Sequence, residues 1–578
     1  VGSVMWGGND AMRVVAAIVA VLTVAALGVA SPQPRHMVVV CSSLQVEQVA
    51  EACSCQPTGA GGVTVAQGML DPAINTTGWG FLEIRTVGQD AASQRAIPDP
   101  VQAYAAGLLE GCLTSTLISH HLANMQFQLF GSAGAPMPAP LQHFLQENVH
   151  LMQQQSQNKA NSSAYWLQAG LMIQEMQGIA NGYNSVRDAA WQPKLSLLDI
   201  FMLNAVGEVD DIQSHLNPAE IPLLERGYSP TKMHDYFTLR THCSAIIKIL
   251  PDYSDIVVAH TTWLHYTYML RLYKNIQLSY ASLHTSADPI PFTTSFSSYP
   301  GALSSIDDYY LTSRGLIVLE TTNLVFNDSL WESVDVAGLL VFVRSTLANR
   351  LARDGQEWVD LFSQHNSGTY NNQWMIVDTN KFTPGKRQVS APGLFWVVEQ
   401  TPLLFQSEDL SSILLGGYWA SYNRPYFPNV FQQMGYADAV AKYGEWYSWG
   451  MNPRARIFRR DQVSVLDMDS LHKLIRSNNY QTDPLAEGNP VNQICARSDL
   501  VKGDPDNPDL VYRAHGCTDG KSTNYAMSRR LQSRVIGGPT HESQPPFSWA
   551  LGQFPDTVHQ GQPITFEFDW VDTPLLSS

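Results

Sequence analysis

Charge is scarce in this chain, and basic charge scarcer still. Of its 578 residues only 15% are Asp, Glu, Lys or Arg, and 35 Lys and Arg face 51 Asp and Glu, for a net charge of −16. That balance excludes the basic footprint of a nucleic-acid binder. After Val14 to Leu27 no run is long and apolar enough to span a bilayer. There is no G-x-S-x-G elbow, no H-E-x-x-H helix, no phosphate-binding glycine loop and no C-x-x-C pair. Cys53-Ser54-Cys55 is too little for a zinc site, so neither metal nor cofactor is expected. His120-His121 is read as solvated or capping. Glu208 with Asp210 and Asp211 is read as a surface charge cluster at a helix end.

What is present points to an exported, well-packed protein. Aromatic residues reach 10% and include 14 Trp and 23 Tyr, which argues against disorder. Arg13, the apolar run to Leu27 and Gly28-Val29-Ala30 have the charged, apolar and small-residue order of a signal peptide, expected to occupy 1–30. Sequons at Asn75, Asn161 and Asn327 agree with export and mark expected glycosylation sites. Seven cysteines leave at least one thiol unpaired in an oxidising compartment. Cys495 and Cys517 are placed to close a loop. Cys41, Cys53, Cys55 and Cys112 supply two more bridges of open pairing, and Cys243 is left over.

Periodicity divides the chain. Residues 31 to about 95 read as loops with short strands. Four-residue apolar steps then predict helices from 101 to about 215, including Leu141 to Gln157, Tyr165 to Ile179 and Leu195 to Ala205. Pro218, Pro222, Gly227 and Pro230 mark 215 to 240 as a linker. Strands are predicted at Ser244–Leu250, Ile256–His260, Leu316–Thr321, Gln373–Asp378, Leu394–Gln400 and Thr565–Trp570. A helical first half before a strand-rich second half predicts an α+β layered fold. The expected organisation is a fragment 31–242 ending in a cleavable linker, then a core 243–578.

Cys243 stands at the head of the first of those strands. Its bland reading is a small buried hydrophobe. Against that stand its unpaired state and three nearby cationic or titratable neighbours, His242, Lys248 and His260, since adjacent cations lower a thiol pKa. A thiol that became a new N-terminus would carry nucleophile and base on one residue.

A resemblance sharpens this. Ala105-Ala106-Gly107-Leu108-Leu109-Glu110-Gly111, His242-Cys243-Ser244-Ala245-Ile246-Ile247-Lys248, Val258-Ala259-His260-Thr261-Thr262-Trp263, Asn366-Ser367-Gly368-Thr369-Tyr370-Asn371-Asn372, Tyr418-Trp419-Ala420-Ser421-Tyr422-Asn423 and Arg456-Ile457-Phe458-Arg459-Arg460-Asp461 resemble the phospholipase B-like family from about residue 100 to 550. The resemblance implies an N-terminal nucleophile hydrolase: an αββα sandwich activated by self-cleavage between His242 and Cys243. It implies Cys243 as nucleophile, with His260 near the thiol and a polar residue, Thr322 or Asn323, about 80 positions on. Asn423 is implied as oxyanion donor and Arg454 as the holder of the new amino terminus. Better-known cysteine amidases of that superfamily carry Arg and Asp on the second strand, where this chain has His260-Thr261-Thr262-Trp263. The implied substrate is a phospholipid or another acylated small molecule, met in the secreted or lysosomal space, with a membrane only as substrate surface. The rival expectation is a non-catalytic secreted glycoprotein of the same fold that binds lipid or a protein partner. The strand-like run after Cys243 argues against a papain-like protease, which needs a helix start there.

Overall fold

The computed structural model describes residues 33–57, 62–241, 243–284, 291–502 and 512–575. The expected signal peptide and His242 lie outside the described residues. From Pro34 onward the chain forms one compact unit.

Two sheets make its centre. The large sheet has eleven strands, in the order Phe405–Asp409, Phe395–Gln400, Asn372–Asp378, Leu316–Thr322, Tyr309–Thr312, Phe292–Ser298, Leu272–Leu278, Gly80–Thr86, Val63–Asp71, Arg35–Cys41 and Cys53–Pro57. All neighbours are antiparallel except Gly80–Thr86 beside Leu272–Leu278, which run parallel. The small sheet has six strands, in the order Tyr418–Ser421, Ser244–Ile249, Ile256–Thr261, Asp519–Asn524, Arg534–Gly537 and Val571–Asp572.

Side-chain alternation sorts these strands into layers. Ala245, Ile247, Ile249, Ile256 and Val258 of the small sheet pack on Tyr309, Leu311, Ile317, Leu319, Met375 and Val377 of the large one. The alternate residues face outward. Ile246, Val257 and Ala259 meet Ile457, Phe458, Leu471 and Leu474 of the helices Pro453–Asp461 and Met468–Ile475. On the far side, Tyr310, Val318, Trp374 and Ile376 meet Val341, Ala348, Trp358 and Phe362 of the helices Val341–Leu351 and Gly355–Phe362. Helix, sheet, sheet and helix follow one another, as the expected αββα sandwich requires.

The helical stretch read from the sequence is present as Asp99–Phe130, Ala139–Lys159, Ala164–Val186 and Leu197–Asn204. Three readings change. Residues 35–86 are not loop-rich with short strands: they give four strands, one of nine residues, that complete the large sheet. The two halves of the chain therefore share one sheet. The 215–240 linker contains an eleven-residue helix, Pro230–Arg240, capped by Ser229, whose Oγ accepts from Lys232 N. The Thr565–Trp570 strand shortens to Thr565–Phe566.

Three disulfides are present. Cys41–Cys53 joins directly paired strand residues, Cys55–Cys112 ties the sheet edge to the helix Asp99–Phe130, and Cys495–Cys517 closes the loop expected of it. Among the described residues no helix is long and apolar enough to cross a membrane. Asn75 and Asn161 are exposed, whereas Asn327 is half-buried and its Nδ2 donates to Gln433 O at 3.2 Å.

The helices Asp99–Phe130 and Ala164–Val186 pack backbone to backbone. A Cβ built on Gly107, Gly111, Gly178 or Gly182 would stand 1.9, 2.2, 2.2 and 2.1 Å from a carbonyl oxygen of the facing helix. Only glycine permits that approach, and the spacing of four keeps each pair on one helix face. Gly111→Ala is expected to lower unfolding stability by at least about 1–3 kcal/mol, the usual range for an overpacked core. Urea unfolding measures it, and an unchanged midpoint contradicts the close contact.

Candidate active site

Cys243 sits where the linker helix ends and the small sheet begins. It is 0% exposed and is the one free cysteine among the described residues. Its backbone has φ +91°, a region that costs a non-glycine residue about 1–3 kcal/mol and that its surroundings must enforce. Enforcement comes from Arg454. One guanidinium nitrogen, Nη1, donates to Cys243 O at 2.9 Å and to Ser244 Oγ at 3.1 Å. The other, Nη2, donates to Tyr422 O at 2.9 Å and to Asn423 Oδ1 at 2.7 Å. The group also lies 4.1 Å over the Trp263 ring. Arg454 is held at the start of the helix Pro453–Asp461 by Asn452, whose Oδ1 accepts from Ala455 N.

No carboxylate pairs with Arg454 among the described residues. Burial, then the neighbouring Arg424, pushes its pKa well below the usual value. An arginine does not give up its proton, so the site carries a desolvated positive charge that favours an anion beside it.

Asn423, itself at φ +68°, links this cation to the large sheet: its Nδ2 donates to Thr322 O at 2.7 Å. Thr322 ends the strand Leu316–Thr322 and its hydroxyl reaches Glu320 Oε2 at 3.4 Å. His260 is directly opposite Ala245, two residues from Cys243. Its Nε2 donates to Glu320 O at 3.0 Å, and Nδ1 has no partner among the described residues. Burial, then Lys521, lowers His260 to about 3, so the ring is neutral even in an acidic compartment. Five of the expected residues, Cys243, His260, Thr322, Asn423 and Arg454, thus occupy one neighbourhood.

Four charged residues there carried no signal in the sequence. Lys521 Nζ donates to Asp519 Oδ2 at 2.8 Å, to Asp307 Oδ2 at 3.0 Å and to Thr262 Oγ1. Arg271 donates to Asp519 Oδ2 at 2.6 Å and contacts Asp307. All four are at most 1% exposed, and two cations balance two anions. Arg271 and Lys521 hold Asp307 far below the ordinary carboxylate range despite its burial.

Four local expectations change. Lys248 does not approach the thiol. It lies five residues on, an odd step that turns it to the other sheet face, where Nζ donates to Gln462 Oε1 at 2.7 Å. Nor is the thiol activated in this uncut chain. Burial first, then the Glu320 and Asp307 charges, pushes it well above its usual pKa, against the nearby Lys521 cation. Of the expected surface cluster Asp210 is exposed and Asp211 half-buried, but Glu208 is not a surface charge. Glu208 is 1% exposed, accepts from Phe342 N at 3.3 Å and from the Thr369 hydroxyl, and is raised to about 7 by burial. Asp211 accepts from Tyr370 N at 2.8 Å and is also raised to about 7 by burial, then by Asp210. His121, read as solvated, is 0% exposed and stacked on Tyr299.

A cleft of about 160 Å³ opens beside this cluster. Asp210, Asp211, Tyr268, Thr322, Asn323 and Tyr370 contribute to its wall, and so do Tyr236, Leu239 and Arg240 of the linker helix. Asn323 is 4% exposed with neither its amide donor nor its acceptor paired among the described residues. The segment preceding Cys243 therefore forms part of the cleft wall in the uncut chain.

A family model described as Phospholipase B matches residues 66–573. Phospholipase B-like 1 of Rattus norvegicus is 36% identical over 514 residues, 89% of this chain and 88% of that protein. Phospholipase B of Crotalus adamanteus is 38% identical over 510 residues, 88% of each. Putative phospholipase B-like 2 of Homo sapiens is 38% identical over 523 residues, 87% of this chain and 85% of that one.

The buried carboxyls make stability depend on pH. Glu208 is raised to about 7 in the folded protein, against about 4.3 in an unfolded chain. The folded state binds the extra proton between those values. The stability it contributes is present below about pH 4.3 and lost as pH rises through about 7. Glu208→Gln removes that loss. Its denaturation midpoint, compared with the parent's, is expected to shift in the variant's favour from about pH 5 to about pH 8. A difference constant with pH contradicts the assignment.

Proposed function

The chain belongs to the phospholipase B family, and from that premise we propose that it is an acyl hydrolase of lipid ester or amide bonds, with Cys243 as its N-terminal nucleophile. The observation that carries the reading is the state of Cys243: a lone thiol, strained at φ +91°, its carbonyl gripped by an uncompensated Arg454.

Activation starts with the bond between residues 242 and 243. The Cys243 sulfur attacks the carbonyl carbon of residue 242, and the C–N bond breaks as the amide nitrogen takes up a proton. Residue 242 is left as a thioester on sulfur. Water hydrolyses the thioester to a carboxylate and a free thiol, leaving Cys243 with a free α-amino group. Backbone strain at Cys243 is relieved by that scission.

In the mature protein the α-amino group, with an ordinary pKa of about 7.7–8.0, takes the thiol proton. The thiolate attacks the acyl carbonyl and a tetrahedral oxyanion forms. Asn423 Nδ2 is its donor, with Asn423 held in place by Arg454 and the Thr322 carbonyl. The α-ammonium returns its proton to the leaving oxygen or nitrogen, and water releases the acyl group from sulfur. His260, neutral and bound to Glu320 O, positions the strand and is not the base. No step calls for a metal or a cofactor. Three disulfides suit an oxidising, secreted or lysosomal setting.

One observation favours the non-catalytic rival: the uncut chain seals the thiol completely. The two readings separate in one experiment. Amino-terminal sequencing of the purified mature protein is expected to show a second start at Cys243-Ser244-Ala245. Cys243→Ser is expected to stay whole and to lose at least about a thousandfold in acyl hydrolysis. A whole chain with full hydrolytic rate, or an active Cys243→Ser, would falsify the proposal.

A further inference from the structure

A second arginine is buried beside Arg454. Arg424 follows Asn423 in the chain and is 1% exposed. Its Nη1 donates to Tyr422 O at 3.3 Å and to Asn423 O at 3.4 Å, and its Nη2 donates to Trp446 O at 3.0 Å. Tyr422 O is also the acceptor of Arg454 Nη2 at 2.9 Å. Two guanidinium groups therefore share one carbonyl oxygen, like charges side by side and out of water.

Neither charge is balanced. No carboxylate pairs with Arg424 or Arg454 among the described residues, and the acceptors of both are neutral. Aromatic rings take up part of the charge: Arg424 lies 4.2 Å from the Phe237 ring and 4.4 Å from the Trp446 ring, and Arg454 packs on Trp263. Ring faces attract a cation but do not replace a counter-ion. One donor is also left over, since Arg424 Nε is buried with no partner among the described residues. A buried N–H without an acceptor is costly.

Both arginines line a cavity of about 10 Å³, together with Phe237, Thr238, Trp263 and Trp446. No acid contributes to its wall. The space is that of a single water-sized sphere. Phosphate, sulfate and carboxylate groups are too large for it.

We propose that this cavity is a binding site for one monatomic anion, a halide such as chloride, held by Arg424 and Arg454. The ion accepts from the unused Arg424 Nε and balances a charge that burial leaves exposed to its twin. Its position ties two parts of the chain. Phe237 and Thr238 belong to the helix Pro230–Arg240, just upstream of Cys243, and Arg454 grips the Cys243 carbonyl. A bound halide joins the segment before residue 243 to the side chain that holds that residue. The site does not depend on which residue is the nucleophile.

Bromide and chloride are the probes. Crystals soaked in sodium bromide are expected to show an anomalous peak within hydrogen-bond reach of Arg424 Nε. In solution, exchanging gluconate for about 150 mM chloride at constant ionic strength is expected to raise the melting midpoint of the whole chain by about 2–4 °C. Arg424→Met should abolish that rise. Asn492→Asp, which puts a near-isosteric negative charge in the same cavity wall, should abolish it too and keeps the test open if Arg424→Met fails to fold. A cavity without an anomalous peak overturns the proposal. So does a peak with no chloride-dependent midpoint, which is binding at crystal concentration only, and so does a rise that survives in both variants, which places the ion elsewhere.

Discussion

One guanidinium holds two separate pieces of chain in register. Arg454 binds the carbonyl of Cys243 at the head of one strand, the hydroxyl of Ser244, and the carbonyl of Tyr422 and amide oxygen of Asn423 at the end of the neighbouring strand. Take it away and Cys243 O, Ser244 Oγ and Asn423 Oδ1 lose this donor, at a cost of about 1–3 kcal/mol for each one left unsatisfied, while Tyr422 O keeps only the longer bond from Arg424 Nη1 at 3.3 Å. The grip also has an electrostatic side. A buried cation without a carboxylate is costly until an anion forms beside it, and the Cys243 thiol is among the groups on hand to become one.

The sandwich is what makes that arrangement possible. Cys243 and Thr262 lie on the inner face of the small sheet, Asp519 and Lys521 beside them, and Asp307 and Arg271 reach them from the large-sheet side. Charges in the gap between two sheets are shielded from water, so their arrangement must balance, and the quartet does so with two of each sign. The cleft beside it is walled in part by the helix Pro230–Arg240, directly upstream of the thiol. The segment that a cut at residue 243 would free is also one that shapes the entrance.

How much of this could be read from the sequence depends on how local each signal is. The strand from Leu316 and the helix from Asp99 declare themselves through apolar period, and the lone cysteine through simple counting. Periodicity could also have excluded Lys248 as a thiol neighbour, since an odd step along a strand changes face. Asp519 and Lys521 were not legible, because their place is set by pairing with Ile256–Thr261 some 260 residues earlier in the chain. Glu208 was misread for a related reason. Three acids near a helix end look like solvated surface, and only the packing of Thr369 and Phe342 against Glu208 shows otherwise. The strands of residues 35–86 read as short and local because the join to the rest of the large sheet, Gly80–Thr86 beside Leu272–Leu278, is made across a long stretch of helical chain.

The central claim is that acyl groups pass through the sulfur of Cys243. Processed protein quenched in acid during turnover of a slowly hydrolysed acyl ester should carry the acyl mass on the peptide beginning at Cys243, and hydroxylamine should remove it as a thioester. An acyl group found on another residue, or steady turnover with no acyl group on that sulfur, would contradict the account.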